Sequence, residues 1–323
     1  MTPPAVSVIV PVRDRGALLR ACLDALHAQT FGDHEVIVVD DGSRDGSGAE
    51  AEERGHPVRV LRTPGVGAVA ARRVGVRASS APILAFTDSD CVPDPRWLEV
   101  GVSAIRSGSA IASGPTWPAR QALPLERTLA SDGKDGLYPT CNVFYDRRAY
   151  DDAGGFDAGA GERLGFRPGS TLRGTGFGED TLLAWRVRRA GGRAELCPDA
   201  VVYHHVFPAD VTETFRRAWG AGAFPALVRE VPELRDTFLL NGRFLGWRGR
   251  LGLYAAALLL VAGRRAPAAL SVSAWALARG RRALAAEVSR RRALWSVPTE
   301  VAADAVTAAA LASGSIRRHS LVL

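Results

Sequence analysis

The first hundred residues alternate between short apolar runs and segments with helical periodicity. The apolar runs have the length of strands, and the segments between them place apolar residues three and four positions apart, which is typical of a helix with one buried face. We predict strands over residues 6–12, 35–39, 58–62 and 83–87. We predict the helices between them over residues 18–26, 47–54 (capped by Ser47) and 66–78. Strands separated by helices indicate parallel pairing with right-handed crossovers, so the sequence predicts a Rossmann-like α/β fold with a mostly parallel sheet flanked by helices.

The pattern between residues 96 and 214 is less regular. We predict helices over residues 96–106 and 181–190, and short strands over residues 110–117, 140–145 and 200–203. A glycine-rich segment, residues 159–178, precedes the second of these helices and is predicted to be mobile. The irregular part of the chain therefore predicts short elements that extend the sheet.

Acidic residues follow the predicted strands. Asp88 and Asp90 come directly after the strand at 83–87, Asp41 follows the second strand and Asp14 follows the first. In open parallel sheets ligands bind beyond the carboxyl ends of the strands. Two carboxylates at positions i and i+2 can turn toward one cavity and bind a hard divalent cation through oxygen. An isolated Asp-x-Asp is also common in solvated turns, so the cation site rests on the acids of the neighbouring strand end.

A second acidic pair, Glu179 and Asp180, precedes the helix predicted at 181–190. Acidic residues at a helix N-terminus are ordinary capping chemistry, because they accept hydrogen bonds from free backbone N–H groups and complement the helix dipole. The same residues, entered through a glycine-rich segment, could instead serve a reaction. Position alone leaves both interpretations open.

Charge divides the chain unevenly. Residues 1–215 carry 24 Lys+Arg and 28 Asp+Glu, whereas residues 216–323 carry 17 and 6. The C-terminal region also contains two apolar runs, residues 251–262 and 266–278, each shorter than the roughly 20 residues needed to cross a bilayer. The runs could form a hairpin in an anionic membrane interface or a buried helical pair. We predict a domain over residues 1–215 and a basic helical region, associated with a membrane, over residues 216–323.

Composition restricts the cellular setting. Hydrophobic residues make up 47% and charged residues 23% of the chain, which is typical of a folded globular protein. The sequence contains Cys22, Cys91, Cys141 and Cys197 without paired spacing, so neither a disulfide framework nor a zinc cluster is predicted. No signal peptide precedes the first strand. We therefore expect a cytoplasmic protein, peripheral at the inner face of the cell membrane.

Several short motifs occur in a familiar order over roughly residues 5–205. They are SVIVPVRD (7–14), QTF (29–31), VVDDGS (38–43), ARRVG (71–75), DSD (88–90) and GED (178–180). Together they resemble the motifs of family 2 glycosyltransferases. The resemblance implies a GT-A fold, a nucleotide-diphosphate sugar donor, Mg²⁺ or Mn²⁺ as cofactor, and inversion at the anomeric carbon.

The resemblance also implies roles for individual residues on the donor side. Pro11 and Arg13 would line the base pocket, and Asp41 would accept a hydrogen bond from the nucleobase. Arg72 would lie near the nucleotide. Asp88 would face the ribose and the metal.

The remaining implied roles concern the metal and the reaction. Asp90 would be a metal ligand beside Asp88, and a histidine shortly after the base ligates metal in part of the GT-A group. His205 is our choice for that histidine, with His204 and a purely structural histidine as the alternatives. Asp180 would be the catalytic base, and Glu179 could raise the pKa of Asp180 by like-charge repulsion.

The same resemblance implies an acceptor side. It would include Trp117, which could stack on a sugar ring or pack internally, Asn142, which could hydrogen-bond a sugar hydroxyl, and Asp157. Two departures from the family pattern matter. Arg73 replaces the usual asparagine of the Ala-Arg-Asn motif, so that end of the nucleotide pocket is expected to differ. The motif of the processive members is missing, so we expect a single transfer rather than polymer synthesis.

These observations lead to one principal hypothesis and two alternatives. The principal hypothesis is a metal-dependent, inverting hexosyltransferase that moves a sugar, with UDP as the default nucleotide, to the hydroxyl of an unknown lipid, glycan or small-molecule acceptor. One alternative is a sugar-nucleotide nucleotidyltransferase, but the glycine- and lysine-bearing loop that this class needs is missing after the first strand. The other is a basic adaptor for membranes or nucleic acid. The acids of the first 200 residues would repel nucleic acid phosphates, so we expect no nucleic acid partner.

Overall fold

The computed structural model describes residues 3–166, 176–285 and 290–323. Part of the predicted mobile segment, residues 167–175, lies outside these ranges. The described chain forms two compact units. The first contains residues 3–120, 129–161 and 176–205, and the second contains residues 121–128, 162–166, 206–285 and 290–323. The predicted domain boundary after residue 215 is not tested by this division into units and stays a prediction.

The strands of the first unit belong to two sheets. They are β1 (Val6–Val12), β2 (His34–Asp40), β3 (Val58–Arg62), β4 (Ile83–Phe86), β5 (Cys91–Pro93), β6 (Ile111–Ser113), β7 (Thr116–Pro118), β8 (Val143–Asp146), β9 (Ala194–Leu196) and β10 (Val202–His204). The larger sheet has the order β3-β2-β1-β4-β8-β6-β9, and the smaller has the order β5-β10-β7.

The larger sheet is parallel where the sequence predicted it. Strand β1 pairs in parallel with β2 and β4, and β2 pairs in parallel with β3. Strand β8 is antiparallel to both β4 and β6, whereas β9 runs parallel to β6. The predicted α/β fold with a mostly parallel sheet is therefore confirmed, with β8 as the antiparallel insertion.

Helices connect these strands. They are α1 (Gly16–His27), α2 (Ser47–Glu52), α3 (Ala68–Ala78), α4 (Trp97–Arg106), α5 (Arg147–Asp152), α6 (Ala160–Arg163) and α7 (Glu179–Arg189). The predicted cap at Ser47 is wrong, because the helix already begins at Ser47 and Gly46, at φ 86°, is its N-cap. The Ser47 hydroxyl instead accepts a hydrogen bond from the backbone N–H of Arg15 at 3.2 Å.

Strand β1 is the centre of the first unit and is buried along its whole length. Because side chains alternate across a strand, Val8 and Val10 pack into one apolar core and Ile9 into another. Helix α3 lies close to Ile9, since a Cβ added to Gly75 would stand 2.7 Å from Ile9 Cγ2. Burial on both faces explains why β1 is a continuous apolar run rather than an alternating one.

The second unit is helical among its described residues. Its α-helices are α8 (Val211–Gly220), α9 (Phe224–Glu230), α10 (Leu234–Thr237), α11 (Leu251–Val261), α12 (Arg265–Leu284) and α13 (Arg290–Arg318). Asp304 of α13 accepts hydrogen bonds from Arg250 Nε at 2.6 Å and Trp275 Nε1 at 2.9 Å. This buried carboxylate ties α13 to the start of α11 and to the middle of α12.

The two predicted apolar runs form α11 and the first part of α12. A fully buried helical pair, one of the two alternatives, is wrong, because Ala256 is the one buried residue of α11. None of the helices in the described ranges is both long enough and apolar enough to cross a bilayer.

The close contact between α4 and β8 makes a testable prediction about stability. A Cβ at Gly101 would lie 2.3 Å from the ring of Phe144, which is fully buried and packs on Trp97 with ring centroids 4.6 Å apart. Gly101→Ala should lower the free energy of unfolding by about 1–3 kcal/mol, because overpacking outweighs the gain in helix propensity. Urea unfolding measures this change. Gly32→Ala is the control, since nothing lies within 4 Å of its added Cβ, and equal unfolding midpoints for both variants would contradict the packing.

Candidate active site

The carboxyl ends of β1, β2 and β4 lie at one edge of the larger sheet, because these strands are parallel neighbours. Arg13 and Asp14 follow β1, Asp41 follows β2, and Asp88 and Asp90 follow β4. The structure therefore brings together at one edge the acids that the sequence distributes over more than 70 residues.

Asp41 is buried and holds the segment that leads into α3. Its carboxylate accepts hydrogen bonds from Thr63 Oγ1 at 2.6 Å, from the backbone N–H of Val66 at 2.6 Å and from the backbone N–H of Gly67 at 2.8 Å. The predicted hydrogen bond to a nucleobase stays a prediction. Asp41 also has a structural role that the sequence did not indicate, since it fixes the approach to the helix that carries Arg72.

Arg13 lies against the same segment. A Cβ at Gly65, which has φ 90°, would stand 3.1 Å from Arg13 Nη1, so the guanidinium rests on the backbone of this glycine. Pro11 is buried in β1, where it is in register with Val39 of β2. The predicted base-pocket residues therefore flank the segment that Asp41 holds, and their contact with a base stays a prediction.

Arg72 connects the acids after β4 to the acids at the start of α7. Its Nη2 lies 2.6 Å from Asp88 Oδ1, and its Nη1 lies 3.8 Å from Glu179 Oε1. The side chains of Arg72 and Glu179 are each 6% exposed. The guanidinium of Arg72 thus lies between Asp88, on the predicted donor side, and Glu179, which precedes the predicted catalytic base.

This ion cluster is incompletely satisfied by hydrogen bonds. Among the residues that the structure describes, Arg72 Nε and Glu179 Oε2 are buried without a hydrogen-bond partner. Buried polar atoms usually have partners, and one that lacks a partner requires an explanation, such as a catalytic role. The cluster therefore has unused donor and acceptor capacity.

Asp180 adjoins this cluster at the first turn of α7. Burial raises its pKa from 3.8 to about 7, with a further contribution from the negative charge of Glu179. Burial likewise raises the pKa of Glu179, opposed by the positive charge of Arg72. Asp180 therefore changes its charge near neutral pH, which is the range in which a general base is most effective.

Glu179 and Asp180 lie in the first turn of α7, as the capping interpretation expects, although neither is the N-cap residue. The N-cap of α7 is Gly178, at φ 77°, and it receives no side-chain hydrogen bond. Glu179 is directed to Arg72 instead. Asp180 Oδ1 accepts a hydrogen bond from the N–H of Thr181 at 2.7 Å, and the carboxyl of Glu179 is also hydrogen-bonded to its own backbone N–H.

Asp90 is 6% exposed and is the centre of a second cluster. Arg15 forms an ion pair with its Oδ2, whereas His204 Nε2 lies 3.7 Å and Cys91 Sγ lies 3.8 Å from its Oδ1. The predicted ligand His205 is not part of this cluster, and its backbone N–H donates instead to the carbonyl of Asp90 at 2.9 Å. His204 is the last residue of β10 and is buried, and the choice between His204 and His205 as metal ligand stays a prediction.

The Asp90 cluster suits a divalent cation. Ligand atoms of Asp90, Cys91 and His204 lie within 4.8 Å of one another. Carboxylate oxygens suit Mg²⁺ and Mn²⁺, whereas imidazole and thiolate ligands favour later transition metals. Asp90 and His204 offer ligand atoms for such a cation, whereas Asp88 is not in this group and its Oδ1 lies 2.6 Å from Arg72 Nη2. Arg15 would compete with the cation, because its guanidinium supplies the positive charge that Asp90 now binds.

The predicted acceptor-side residues have different environments. The predicted contact of Asn142 with a sugar is wrong, because this side chain is fully buried and its amide is used by Trp97, Pro115 and Ala200 at 2.8–2.9 Å. Trp117 is 42% exposed, so its side chain is not packed in the interior, and its stacking on a sugar ring stays a prediction. The carboxylate of Asp157 accepts a hydrogen bond from the N–H of Gly159 at 2.8 Å.

Three residues of the site were missed by the sequence or given another role. Arg15, Cys91 and the bridging position of Arg72 became visible only in the structure. Arg15 and Cys91 do directly follow Asp14 and Asp90, two acids at strand ends. Neighbours of strand-end acids are therefore the signal that could have found them.

Known proteins match this arrangement in sequence. A profile of the family described as Glycosyl transferase family 2 matches residues 7–160, which include the strand-end acids and β1 to β8. Over these 154 of its 323 residues the chain is similar to glycosyl transferase family 2. The match ends before α7, so Glu179 and Asp180 lie outside it.

Relatives extend this result. The chain is 40% identical over 116 residues to "Glycosyltransferase AglE" from Haloferax volcanii, a match that covers 34% of this chain and 38% of the relative. It is 27% identical over 272 residues to "Pre-mycofactocin glycosyltransferase" from Mycobacterium tuberculosis, covering 75% of this chain and 52% of the relative. The chain thus spans between about a third and a half of the length of these relatives.

A solved structure shares the fold. The mannosyltransferase PcManGT from Pyrobaculum calidifontis, in complex with GDP-Man and Mn²⁺, superposes with a TM-score of 0.57. The match covers 96% of this chain and 88% of that chain at 18% sequence identity. At this identity the likeness concerns the fold, and it confirms the GT-A-like architecture.

The raised pKa of Asp180 predicts a pH-dependent stability. Below the ordinary pKa of 3.8 the carboxyl is neutral in the folded and unfolded chain, and the contribution of its raised pKa is fully present. That contribution is lost as pH rises through about 7, because the folded chain must then hold a desolvated charge beside Glu179. The melting temperature of Asp180→Asn should therefore be higher than that of the wild type at pH 8 and close to it at pH 4.

Thermal unfolding followed by circular dichroism across this pH range measures the difference. Asp152→Asn is the control, since Asp152 is an exposed acid on α5. A melting-temperature difference for Asp180→Asn that does not change with pH would contradict the raised pKa.

Proposed function

We propose that this protein is an inverting, metal-dependent glycosyltransferase that moves one sugar from a nucleotide-diphosphate donor to an acceptor hydroxyl. The observation that carries the proposal is the Arg72 cluster, in which one guanidinium contacts Asp88 and Glu179 beside an Asp180 of raised pKa. A donor side and a base therefore share one charged centre. The match of residues 7–160 to the Glycosyl transferase family 2 model supports the reaction class.

Asp180 is the general base of this reaction. The acceptor hydroxyl must lose a proton as it attacks the anomeric carbon, and a carboxylate whose pKa is near 7 accepts that proton efficiently at neutral pH. Attack from the face opposite the leaving diphosphate inverts the anomeric configuration in a single displacement. Glu179 supports the base by raising its pKa, and Arg72 limits that rise.

Asp90, Asp88 and His204 are the residues that would hold the divalent cation. When bound, the cation stabilises negative charge on the departing diphosphate. The carboxylates favour Mg²⁺ or Mn²⁺, and the structural neighbour is in complex with Mn²⁺. Arg15 must release Asp90 Oδ2 for that oxygen to become a ligand, and its guanidinium is then available to the donor phosphates.

The donor nucleotide is proposed as UDP or GDP. UDP is the default that the family resemblance implies, and the structural neighbour binds GDP-Man. A screen of nucleotide sugars for metal-dependent hydrolysis separates the two. A basic adaptor would not need the acids around Arg72 and Asp90, which are partly removed from water. We therefore favour the transferase over the adaptor.

The proposed place of action is the inner, cytoplasmic face of an anionic membrane. The support is electrostatic, since residues 216–323 carry 17 Lys+Arg against 6 Asp+Glu and anionic lipids attract such segments. A membrane location would suit an acceptor attached to a lipid carrier. Glycan and small-molecule acceptors remain candidates.

The metal assignment makes the next prediction. Asp90→Asn should weaken Mn²⁺-dependent binding of the donor nucleotide about tenfold or more, because it replaces an ionised ligand by a neutral amide. Titration calorimetry with UDP or GDP, with and without Mn²⁺, measures the effect. Asp152→Asn is the control. Wild-type affinity in Asp90→Asn would remove Asp90 from the metal site.

The base assignment makes a kinetic prediction. Asp180→Asn should keep nucleotide binding and lower turnover about 100- to 10,000-fold, which is the usual contribution of a general base. In the wild type, kcat/KM should rise with pH through an apparent pKa of about 7 that belongs to the Glu179–Asp180 pair.

Glu179→Gln provides the matched test of this profile. It removes the neighbouring negative charge that helps to raise the pKa of Asp180, so the inflection of the pH–rate profile should move to lower pH. Wild-type turnover in Asp180→Asn, or an unmoved inflection in Glu179→Gln, would contradict these roles.

A further inference from the structure

Helix α11 is apolar on all sides and largely uncovered. Its sequence, LGLYAAALLLV, contains no charged residue, and Leu258, Leu260 and Val261 are 72%, 57% and 90% exposed. A surface helix of a soluble domain normally directs polar residues outward. Surfaces of this kind usually mark contact with a membrane or another protein.

Helix α12 continues the exposed apolar surface. Leu270, Leu277 and Leu284 are 72%, 64% and 59% exposed, whereas Ala268 and Trp275 are buried. The helix therefore has one anchored side and one uncovered apolar side. We call the exposed leucines and valines of α11 and α12 the apolar face.

The polar contacts of these helices point inward. Ser271 Oγ donates to the carbonyl of Gly252 at 2.9 Å, and Tyr254 donates to the carbonyl of Ala308 at 3.2 Å. A Cβ at Gly252 would lie 3.1 Å from Trp275 Cβ, so the two helices approach closely there. These inward hydrogen bonds hold both helices in place, so the exposed apolar face belongs to ordered helices rather than to a frayed helix end.

Arginines border the apolar face. Between residues 251 and 286 the sequence contains five arginines and no acid. Arg264 and Arg265 are exposed at the turn between the helices, and Arg281 and Arg282 are exposed near the end of α12. Guanidinium groups bind phosphate oxygens well, and a face with like charge would repel a second copy of itself.

The geometry excludes a membrane-spanning role for α11. Eleven residues of helix are about 16 Å long, roughly half of the hydrocarbon thickness of a bilayer. Arg264 and Arg265 follow the end of α11 after two intervening residues, and long basic side chains at such positions keep their charges at the level of the lipid headgroups. Helices of this kind lie in the plane of the interface.

We propose that α11 and α12 insert the apolar face into one leaflet of an anionic bilayer, with Arg264, Arg265, Arg281 and Arg282 at the lipid phosphates. The occupant of this face is therefore lipid, and attachment is by apolar insertion as well as by charge. The inference rests on the proposed membrane location, whereas the transferase reaction does not depend on it.

Flotation of the full chain with vesicles tests the proposal. Binding is expected to vesicles of phosphatidylcholine with phosphatidylglycerol, to be weaker with phosphatidylcholine alone, and to persist in part at high salt. The double variant Leu258→Gln/Leu270→Gln should partition about tenfold less. Ile316→Gln is the matched control, since Ile316 is 75% exposed on α13.

Fluorescence locates the inserted residues. The native cysteines are all buried, so a cysteine introduced at an exposed position is the accessible labelling site. A polarity-sensitive dye on Val261→Cys should shift to the blue when anionic vesicles are added, and the same dye on Ile316→Cys should not.

Several results would overturn the inference. The first two are absence of vesicle binding and complete loss of binding at high salt. The third is an equal loss of binding in Leu258→Gln/Leu270→Gln and in Ile316→Gln. The fourth is a blue shift of the Val261→Cys dye that grows with protein concentration without vesicles, which would indicate that a second copy of the chain covers the apolar face. Donor hydrolysis measured without vesicles keeps the two proposals apart. We expect Leu258→Gln/Leu270→Gln to lose flotation and to keep wild-type donor hydrolysis. If the wild type floats with vesicles but does not hydrolyse any donor, only the transferase proposal is contradicted.

Discussion

A buried guanidinium is the interaction on which the candidate site depends. Arg72 contacts Asp88 at 2.6 Å and Glu179 at 3.8 Å, and it thereby links the end of β4 to the start of α7. Removing one partner of a buried ion pair typically costs about 3–5 kcal/mol, because the remaining charge is left uncompensated. The position of Asp180, the proposed base, and its proton affinity thus depend on a residue that lies on a third element, α3.

The two units solve the burial of polar groups in opposite ways. In the first unit the apolar strands β1 and β4 are buried along their whole length, and several acids lie at the carboxyl edge of the sheet. In the second unit Asp304 collects Arg250 and Trp275 inside, while the leucines of α11 face outward. A bilayer is a solvent in which such an arrangement is favourable, since apolar side chains lose contact with water there.

The alternation of apolar runs and helical periodicity predicted the order of elements in the first hundred residues. Strands β1 and β3 have the predicted bounds, and β4 ends one residue early at Phe86. Local periodicity determines these elements because each of them must bury one or both faces. The antiparallel insertion of β8 between β4 and β6 could not be predicted, since pairing partners far apart in sequence are selected by packing.

The sequence by itself determined which residue types stand at the strand ends, and its motifs indicated the resemblance to family 2 glycosyltransferases that residues 7–160 share. Tertiary structure decided which partners those residues have. Asn142 became a buried residue whose amide is fully hydrogen-bonded, His204 came to lie 3.7 Å from Asp90, and Asp41 fixed the segment that leads into α3. The reason is physical: a pattern fixes the face on which a side chain emerges, whereas distance, burial and charge neighbours arise only when separate elements pack together.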